Sequence, residues 1–131
     1  MKVLLVENIA PCTYLFRNTL HEDEFSELYS LQCMRSAGET LMFLRNMKKY
    51  RFAIKPDIII LDQELPDQTG YELIAAIREM PEINEIPLIM IGSEMNPQHP
   101  FGLTPDEYHQ RPDSREDLIL LLEQTEDMLI A

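Results

Sequence analysis

One stretch constrains the fold of this chain more than any other, the stretch from Lys55 to Gly70. It opens with Pro56, which favours an extended backbone in the residue before it. The apolar run Ile58–Leu61 follows, and because it is short and rich in β-branched residues it predicts a strand buried on both faces, as in the centre of a parallel sheet. The strand ends at a carboxylate, Asp62. Ligands of open α/β sheets bind beyond the carboxyl ends of the strands, so Asp62 stands where chemistry is expected.

Asp62 taken alone has a second interpretation that is equally good. A carboxylate after a buried strand is commonly a helix N-cap or a turn residue with a purely structural role. The remainder of the chain therefore has to decide between structure and function.

Strands and helices alternate along the chain. Apolar runs predict strands at Lys2–Val6, Leu28–Met34, Asp57–Leu61, Leu88–Ile91 and, as a short edge strand, Asp106–Gln110. Helical spacing predicts helices from Pro11, from the capping box Ser36–Glu39 to about Tyr50, from Gly70 to about Met80, and from the capping box Asp113–Glu116 to about Leu129. This alternation predicts a parallel sheet covered on both faces, with right-handed crossovers.

Length and composition narrow the class of protein. A chain of 131 residues is expected to form one domain, residues 1–131, with a core of its own. Two cysteines without metal-like spacing, no signal peptide and no long apolar run favour a cytoplasmic protein that does not enter a membrane. The net charge of −12 opposes direct binding to nucleic acid. Six of the eleven basic residues fall within 35–55, which we interpret as the solvated end of a helix.

Polar residues follow three of the predicted strands, at Glu7-Asn8, Asp62 and Ser93. If these strands are neighbours in the sheet, the polar residues converge on one crevice. Such a cluster of oxygens can hold Mg²⁺, which prefers oxygen ligands and keeps several waters. A metal beside a carboxylate also permits phosphoryl transfer to that carboxylate, which gives an aspartyl phosphate.

At this point the chain resembles a response-regulator receiver domain of two-component signalling, over essentially its whole length. The matching pieces are Lys2–Asn8, Pro56–Asp62 with Leu65-Pro66 and Gly70, Pro87–Ile91, and Tyr108 with Arg111-Pro112. The resemblance implies a flavodoxin-like fold of five parallel strands in the order 2-1-3-4-5. Because prolines crowd residues 97–105, the helix that the family places before the fifth strand is expected to be shortened or irregular here.

The resemblance also implies the parts of a site. Asp62 would accept phosphate from a histidine kinase or a phosphotransfer protein, and Mg²⁺ would lie against Glu7, Asn8, Asp62 and the backbone carbonyl of Glu64. Asn8 stands where the family usually has a second acidic residue, so the site loses one negative charge. Magnesium binding is therefore expected to be weak or absent.

Three further residues carry roles that the resemblance implies. Arg111 takes the place of the family's phosphate-binding lysine, and this is not a conservative exchange at a phosphate. The family's hydroxyl residue after the fourth strand falls on Gly92, and Ser93 replaces it only if the strand end slips by one residue. Tyr108 matches the aromatic residue that swings inward on activation.

Three functions therefore stay open. The first is a working receiver, a signalling domain and not an enzyme, in which phosphorylation of Asp62 biases a conformational switch. The second is a pseudo-receiver, a protein-interaction module that keeps the fold and signals without phosphate. The third, a flavodoxin-like flavin binder, is disfavoured because no Gly/Ser/Thr-rich loop follows the first strand. The run Leu118–Leu122 in the last helix predicts either a fully buried side or a homodimer or partner surface.

Overall fold

The computed structural model describes residues 1–45 and 55–130. Strands and helices alternate within these ranges as β1 (Lys2–Val6), α1 (Ala10–Leu20), α2 (Asp23–Ser26), β2 (Ser30–Met34), α3 (Ala37–Arg45), β3 (Ile58–Asp62), α4 (Gly70–Arg78), β4 (Leu88–Gly92), β5 (Glu107–Gln110) and α5 (Arg115–Ile130).

The strands form one parallel sheet in the order β2-β1-β3-β4-β5. The flavodoxin-like topology expected from the sequence is therefore confirmed. The register pairs Val6 with Leu61 and Asp62 with Ile91. Because β1 and β4 flank β3 on its two sides, the carboxyl ends of three predicted strands do lie at one edge of the sheet.

Side chains of the sheet point alternately into two apolar cores, one on each face. Ile59 and Leu61 of β3 pack into the core that α3 and α4 cover. Ile58 and Ile60 pack into the opposite core, which α1 and α5 cover. All five residues of β3 are buried, as the unbroken apolar run predicted for a central strand. The two cysteines are free thiols, Cys12 buried and Cys33 half-buried.

The predicted start of β2 is wrong, and a short helix before it was not predicted. The strand begins at Ser30, not at Leu28. The residues before it form α2, a four-residue helix that the sequence pattern did not predict. Leu28 N–H and Tyr29 N–H both donate to the Phe25 carbonyl, at 2.9 Å each. Helical hydrogen bonding therefore continues through Leu28 and Tyr29, which were predicted to belong to the strand.

The helix caps follow the predicted chemistry with one shift. Ser36 Oγ accepts from Glu39 N–H at 3.1 Å, as the first capping box predicted. At α5 the cap is Ser114, whose Oγ accepts from Asp117 N–H at 3.1 Å, so the capping box begins one residue later than Asp113. The predicted continuation of α3 to Tyr50 and the basic residues Lys48, Lys49 and Arg51 lie outside the described residues.

No helix forms in residues 93–106, between β4 and β5, as the prolines predicted. Side chains hold this segment against the body of the protein. Arg78 Nη2 donates to the Thr104 carbonyl at 2.6 Å, and Asp106 Oδ2 accepts from Leu88 N–H at 2.7 Å. Within the ranges that the structure covers, none of the helices has the length and apolar character that a membrane crossing requires.

Candidate functional site

Asp62 is fully buried at the carboxyl end of β3. Its Oδ1 accepts from Glu64 N–H at 2.8 Å, and Gly70 N–H donates to the Gln63 carbonyl at 2.8 Å. The turn is tight at Gly70, where a Cβ atom would lie 2.4 Å from the Asp62 carbonyl oxygen. A glycine is therefore required there, because any side chain would collide with the backbone of Asp62.

Arg111 directly follows β5 and contacts Asp62. Its Nε and Nη2 donate to Asp62 Oδ2 at 2.9 and 2.7 Å, and its backbone N–H donates to the Gly92 carbonyl at 2.7 Å. Burial opposes the guanidinium charge, but the hydrogen bond and the attraction to Asp62 outweigh this and raise the pKa of Arg111. The Arg111 side chain is 22% exposed, so the ion pair lies at the floor of the crevice with one side open to solvent.

Glu7, directly after β1, is the second buried carboxyl group. Its Oε1 accepts from Ile9 N–H at 3.0 Å, whereas its Oε2 lies 3.6 Å from Arg111 Nε and has no hydrogen-bond partner among the described residues. Burial raises the pKa of Glu7 to about 8, and the neighbouring Asp62 carboxylate adds to the effect. Glu7 therefore holds a proton more readily at neutral pH than an ordinary glutamate does.

Gly92 occupies the position where the resemblance would place a hydroxyl residue, and the space beside it is filled. A Cβ atom on Gly92 would lie 2.5 Å from Gln63 Oε1 and 2.6 Å from the Tyr108 hydroxyl. That hydroxyl donates to the Glu94 carbonyl at 2.8 Å. Tyr108 thus points inward, with its hydroxyl held at the end of β4.

Two contacts tie Tyr108 to the segment between β4 and β5. The His99 ring packs between two tyrosines, with ring centroids 5.6 Å from Tyr71 and 5.7 Å from Tyr108. The Tyr71 hydroxyl and His99 Nδ1 are hydrogen-bonded at 2.7 Å. The His99 ring, itself held by Tyr71, therefore supports the inward position of Tyr108.

The sequence-predicted residues fall into two groups. Asp62, Glu7 and Arg111 form one contact network. Asn8 is exposed and lines an adjoining cavity of about 420 Å³, and Ser93 is also exposed. Glu64 contacts Asp62 through its backbone N–H, whereas the resemblance assigned the backbone carbonyl of Glu64 to the metal.

Gln63 was not predicted as a site residue, although its amide fills the space at Gly92. Its place directly after Asp62 is the feature that could have indicated it. A polar residue directly after a strand-end carboxylate lies at the same edge of the sheet.

The residues present fit a divalent cation only in part. The buried, unpartnered Oε2 of Glu7 beside the Asp62 carboxylate is an oxygen that a cation would satisfy. Over residues 1–45 and 55–130, however, no group of three or more His, Cys, Asp or Glu side chains is placed to hold a metal. A cation would thus depend on these two carboxyl groups together with neutral oxygens and water.

Comparison with known proteins finds relatives in one functional class. The chain is 27% identical over 94 residues to the response regulator Rcp1 of Synechocystis, an alignment that covers 72% of this chain and 63% of the relative. It is 28% identical over 97 residues to the two-component response regulator ORR1 of rice, covering 74% of this chain and 42% of the relative. The chain therefore spans less than two thirds of the length of these relatives. No family model matches it.

Solved structures share the fold. The phosphorylated cyanobacterial phytochrome response regulator RcpA superposes with a TM-score of 0.80 at 24% identity, covering 99% of this chain and 94% of that one. The chemotaxis response regulator CheY4 of Vibrio cholerae superposes with a TM-score of 0.76 at 22% identity, covering 94% and 96%. Sequence and fold together confirm that the chain resembles response-regulator receiver domains.

Proposed function

We propose that the chain is a receiver that accepts a phosphoryl group on Asp62 from a histidine kinase or a phosphotransfer protein. The observation that carries this proposal is the buried Asp62 carboxylate at the carboxyl end of the central strand, paired with the cationic Arg111. Its relatives are response regulators, and one structural neighbour, RcpA, was solved in a phosphorylated form.

The two oxygens of Asp62 differ in how strongly they are engaged. Oδ2 accepts two N–H groups from Arg111, whereas Oδ1 accepts one N–H, from Glu64. A carboxylate oxygen has two lone pairs, so Oδ1 keeps one free for attack on phosphorus. A bond then forms between Oδ1 and phosphorus while the donor's bond to phosphorus breaks, and the donor imidazole keeps the electron pair and takes a proton from water.

Arg111 gains a second role once Asp62 carries phosphate. Phosphorylation converts the carboxylate to an acyl phosphate, which removes the carboxylate charge and places about two negative charges on the phosphoryl oxygens. The guanidinium can turn from Oδ2 to these oxygens, because Arg binds phosphate in the same forked geometry as carboxylate. This exchange of partners would couple phosphorylation to the position of β5, where Arg111 is anchored by its N–H to Gly92.

Glu7 and Asp62 would hold a divalent cation, as one structural neighbour, Rcp1, was solved in a Mn²⁺-bound form. When bound, the cation supplies positive charge against the phosphoryl oxygens. Glu7 has to lose its proton for this, which costs free energy because the group is buried. We therefore propose weak Mg²⁺ binding.

A second candidate is the pseudo-receiver, and the filled space at Gly92 favours it. Gln63 and Tyr108 occupy the place where a hydroxyl residue would contact the phosphate. With Tyr108 already inside, the inward movement of an aromatic residue is not left for phosphorylation to cause. In this case the domain presents one fixed surface to a partner protein and signals without phosphate.

Incubation with Mg²⁺ and acetyl phosphate, read by intact mass, separates the two candidates. A working receiver gains the mass of one phosphoryl group, and Asp62→Ala does not. The matched control is Asp57→Ala, an aspartate at the opposite end of β3 whose Oδ2 accepts from Lys2 N–H at 2.7 Å. Absence of any mass gain, together with no binding of Mg²⁺ or beryllofluoride, would refute phosphorylation and leave the pseudo-receiver.

A further inference from the structure

A groove between α2 and α5 lies on a face of the molecule that the phosphorylation site does not use. It has a volume of about 380 Å³ and an apolar floor of Phe25, Leu28, Tyr29, Ile119 and Leu122. Leu28 is 57% exposed although it follows a helix that packs on the core. We call this surface the α2–α5 groove.

The rim of the α2–α5 groove is acidic. Glu24 comes from α2, and Glu123 and Glu126 come from α5. Residues 21–29 hold four acidic side chains and residues 115–130 hold five, against one arginine, Arg115, and one histidine, His21. Arg115 is already engaged, because its Nη2 lies 2.7 Å from Glu22 Oε1 and 3.0 Å from Glu24 Oε1.

The negative charge of the rim acts on the floor of the groove. The Tyr29 hydroxyl donates to Glu126 Oε1, and the Phe25 and Tyr29 rings lie with centroids 6.4 Å apart. Burial raises the pKa of Tyr29, and the carboxylates of Glu126 and Glu123 raise it further, because a second negative charge there is unfavourable. Glu123 is exposed and enters no ion pair within residues 1–45 and 55–130.

We propose that the α2–α5 groove binds a basic amphipathic helix of a partner protein. An apolar floor between two acidic walls matches a helix with an apolar stripe flanked by Lys or Arg. Charge complementarity excludes the other occupants. A second copy would bring its own acidic groove and a net charge of −12, and an anionic membrane surface would be repelled.

The test uses the whole chain and three short synthetic helices. The first carries a leucine stripe flanked by lysines, the second has the same leucines flanked by glutamates, and the third scrambles the residues of the first. We expect the first alone to bind, with NMR shift changes confined to residues around Leu28 and Ile119. Equal binding of the scrambled peptide would overturn the proposal, because it would show attraction to net charge alone.

Two pairs of variants locate the binding. Leu28→Ser is expected to weaken binding about tenfold or more by removing apolar contact, whereas Leu120→Ser, at a leucine of similar exposure (53%) on α5 outside the groove, is expected to leave it unchanged. In the second pair, Glu123→Lys is also expected to weaken binding, because it reverses a charge of the rim. Asp117→Lys on the same helix is the matched control and is expected to leave binding unchanged. Both leucines are exposed, so neither variant disturbs the core.

Two outcomes would count against the α2–α5 groove. Equal affinity of Leu28→Ser and the parent chain would place the peptide elsewhere. A monomer–dimer equilibrium that Leu28→Ser abolishes, seen by sedimentation, would make the occupant a second copy. Neither result depends on phosphorylation, because the peptide titrations and the sedimentation experiment all use the unphosphorylated chain.

Discussion

The Arg111–Asp62 pair sets the electrostatics of the crevice at the level of single residues. Asp62 is fully buried, and two N–H groups of Arg111 compensate its charge. Removing one partner of a buried pair leaves the other without compensation, and this costs more free energy than removing both. We therefore expect Arg111→Met to lower the free energy of unfolding by about 2 to 3 kcal/mol, which is below the usual range of about 3 to 5 kcal/mol because Arg111 is partly exposed.

The double variant Arg111→Met with Asp62→Asn provides the control. Since it leaves no unpaired charge at Asp62, it should be more stable than Arg111→Met alone. Urea denaturation of the four proteins in the cycle measures this coupling. Strictly additive losses would show that the two side chains do not interact in solution, and the contact network of the site would have to be redrawn.

The sequence could indicate some of these residues and not others. Asp62, Glu7 and Arg111 each adjoin the end of a strand. The strand pattern indicated Asp62 and Glu7, whereas the role of Arg111 came only from the family resemblance. The hydroxyl position could not be placed, because Gly92 and Ser93 differ by one residue, and the exact end of a strand is not encoded in its apolar run. The filling of that space by Gln63 depends on side-chain packing, which no pattern predicts.

At the scale of elements, a side chain from one loop caps the start of another helix. Asp67, between β3 and α4, accepts from Ala37 N–H at 3.0 Å and from Gly38 N–H at 2.8 Å. These are free N–H groups of the first turn of α3, and a carboxylate also suits the positive end of the helix dipole. The contact joins the loop that follows Asp62 to the opposite side of the crevice.

Asp67 predicts a pH dependence of stability. The hydrogen bond from Gly38 N–H lowers the pKa of Asp67 below its ordinary value of 3.8, against the opposing effect of burial. A lowered pKa in the folded state means that the carboxylate stabilises the fold above pH 3.8 and that this stabilisation is lost as the pH falls through the lower folded value. Asp67→Asn should therefore cost at most about 1 kcal/mol at neutral pH, since the group is exposed, and progressively less below pH 3.8.

Thermal unfolding at a series of pH values measures this difference. Asp113→Asn, at an exposed aspartate that makes none of the described hydrogen bonds, is the matched control and should show no such trend. A constant difference between Asp67→Asn and the parent chain at every pH would mean that the cap does not depend on the charge.

The elements themselves were predictable to different degrees. Strands β1, β3 and β4 are built on continuous apolar runs, and they lie within one residue of the predicted bounds. The start of β2 was misplaced because Leu28 and Tyr29 belong to the turn after α2, where local hydrogen bonds to Phe25 outweigh their β-propensity. A helix as short as α2 leaves too few residues for a periodic pattern to appear.

At the scale of the whole molecule, the two cores lie on opposite faces of one sheet. Successive residues of β3 alternate between the core under α3 and α4 and the core under α1 and α5. The order of elements along the chain predicted this arrangement, because right-handed crossovers distribute the helices over both faces. The sequence predicts one domain over residues 1–131, and one domain is expected to unfold cooperatively, with both cores lost together.

We expect both faces to unfold together, and two matched truncations test this. Ile77→Ala acts on one core and Leu118→Ala on the other, and both residues are fully buried. Each should lower the free energy of unfolding by about 2 to 5 kcal/mol. The NMR signals of Leu73, in the core of Ile77, and of Phe16, in the core of Leu118, report unfolding on the two faces of the sheet. If the domain is one cooperative unit, each substitution shifts the urea midpoint of both signals equally. A midpoint that moves only on the substituted face would show that the sheet carries two separately unfolding layers.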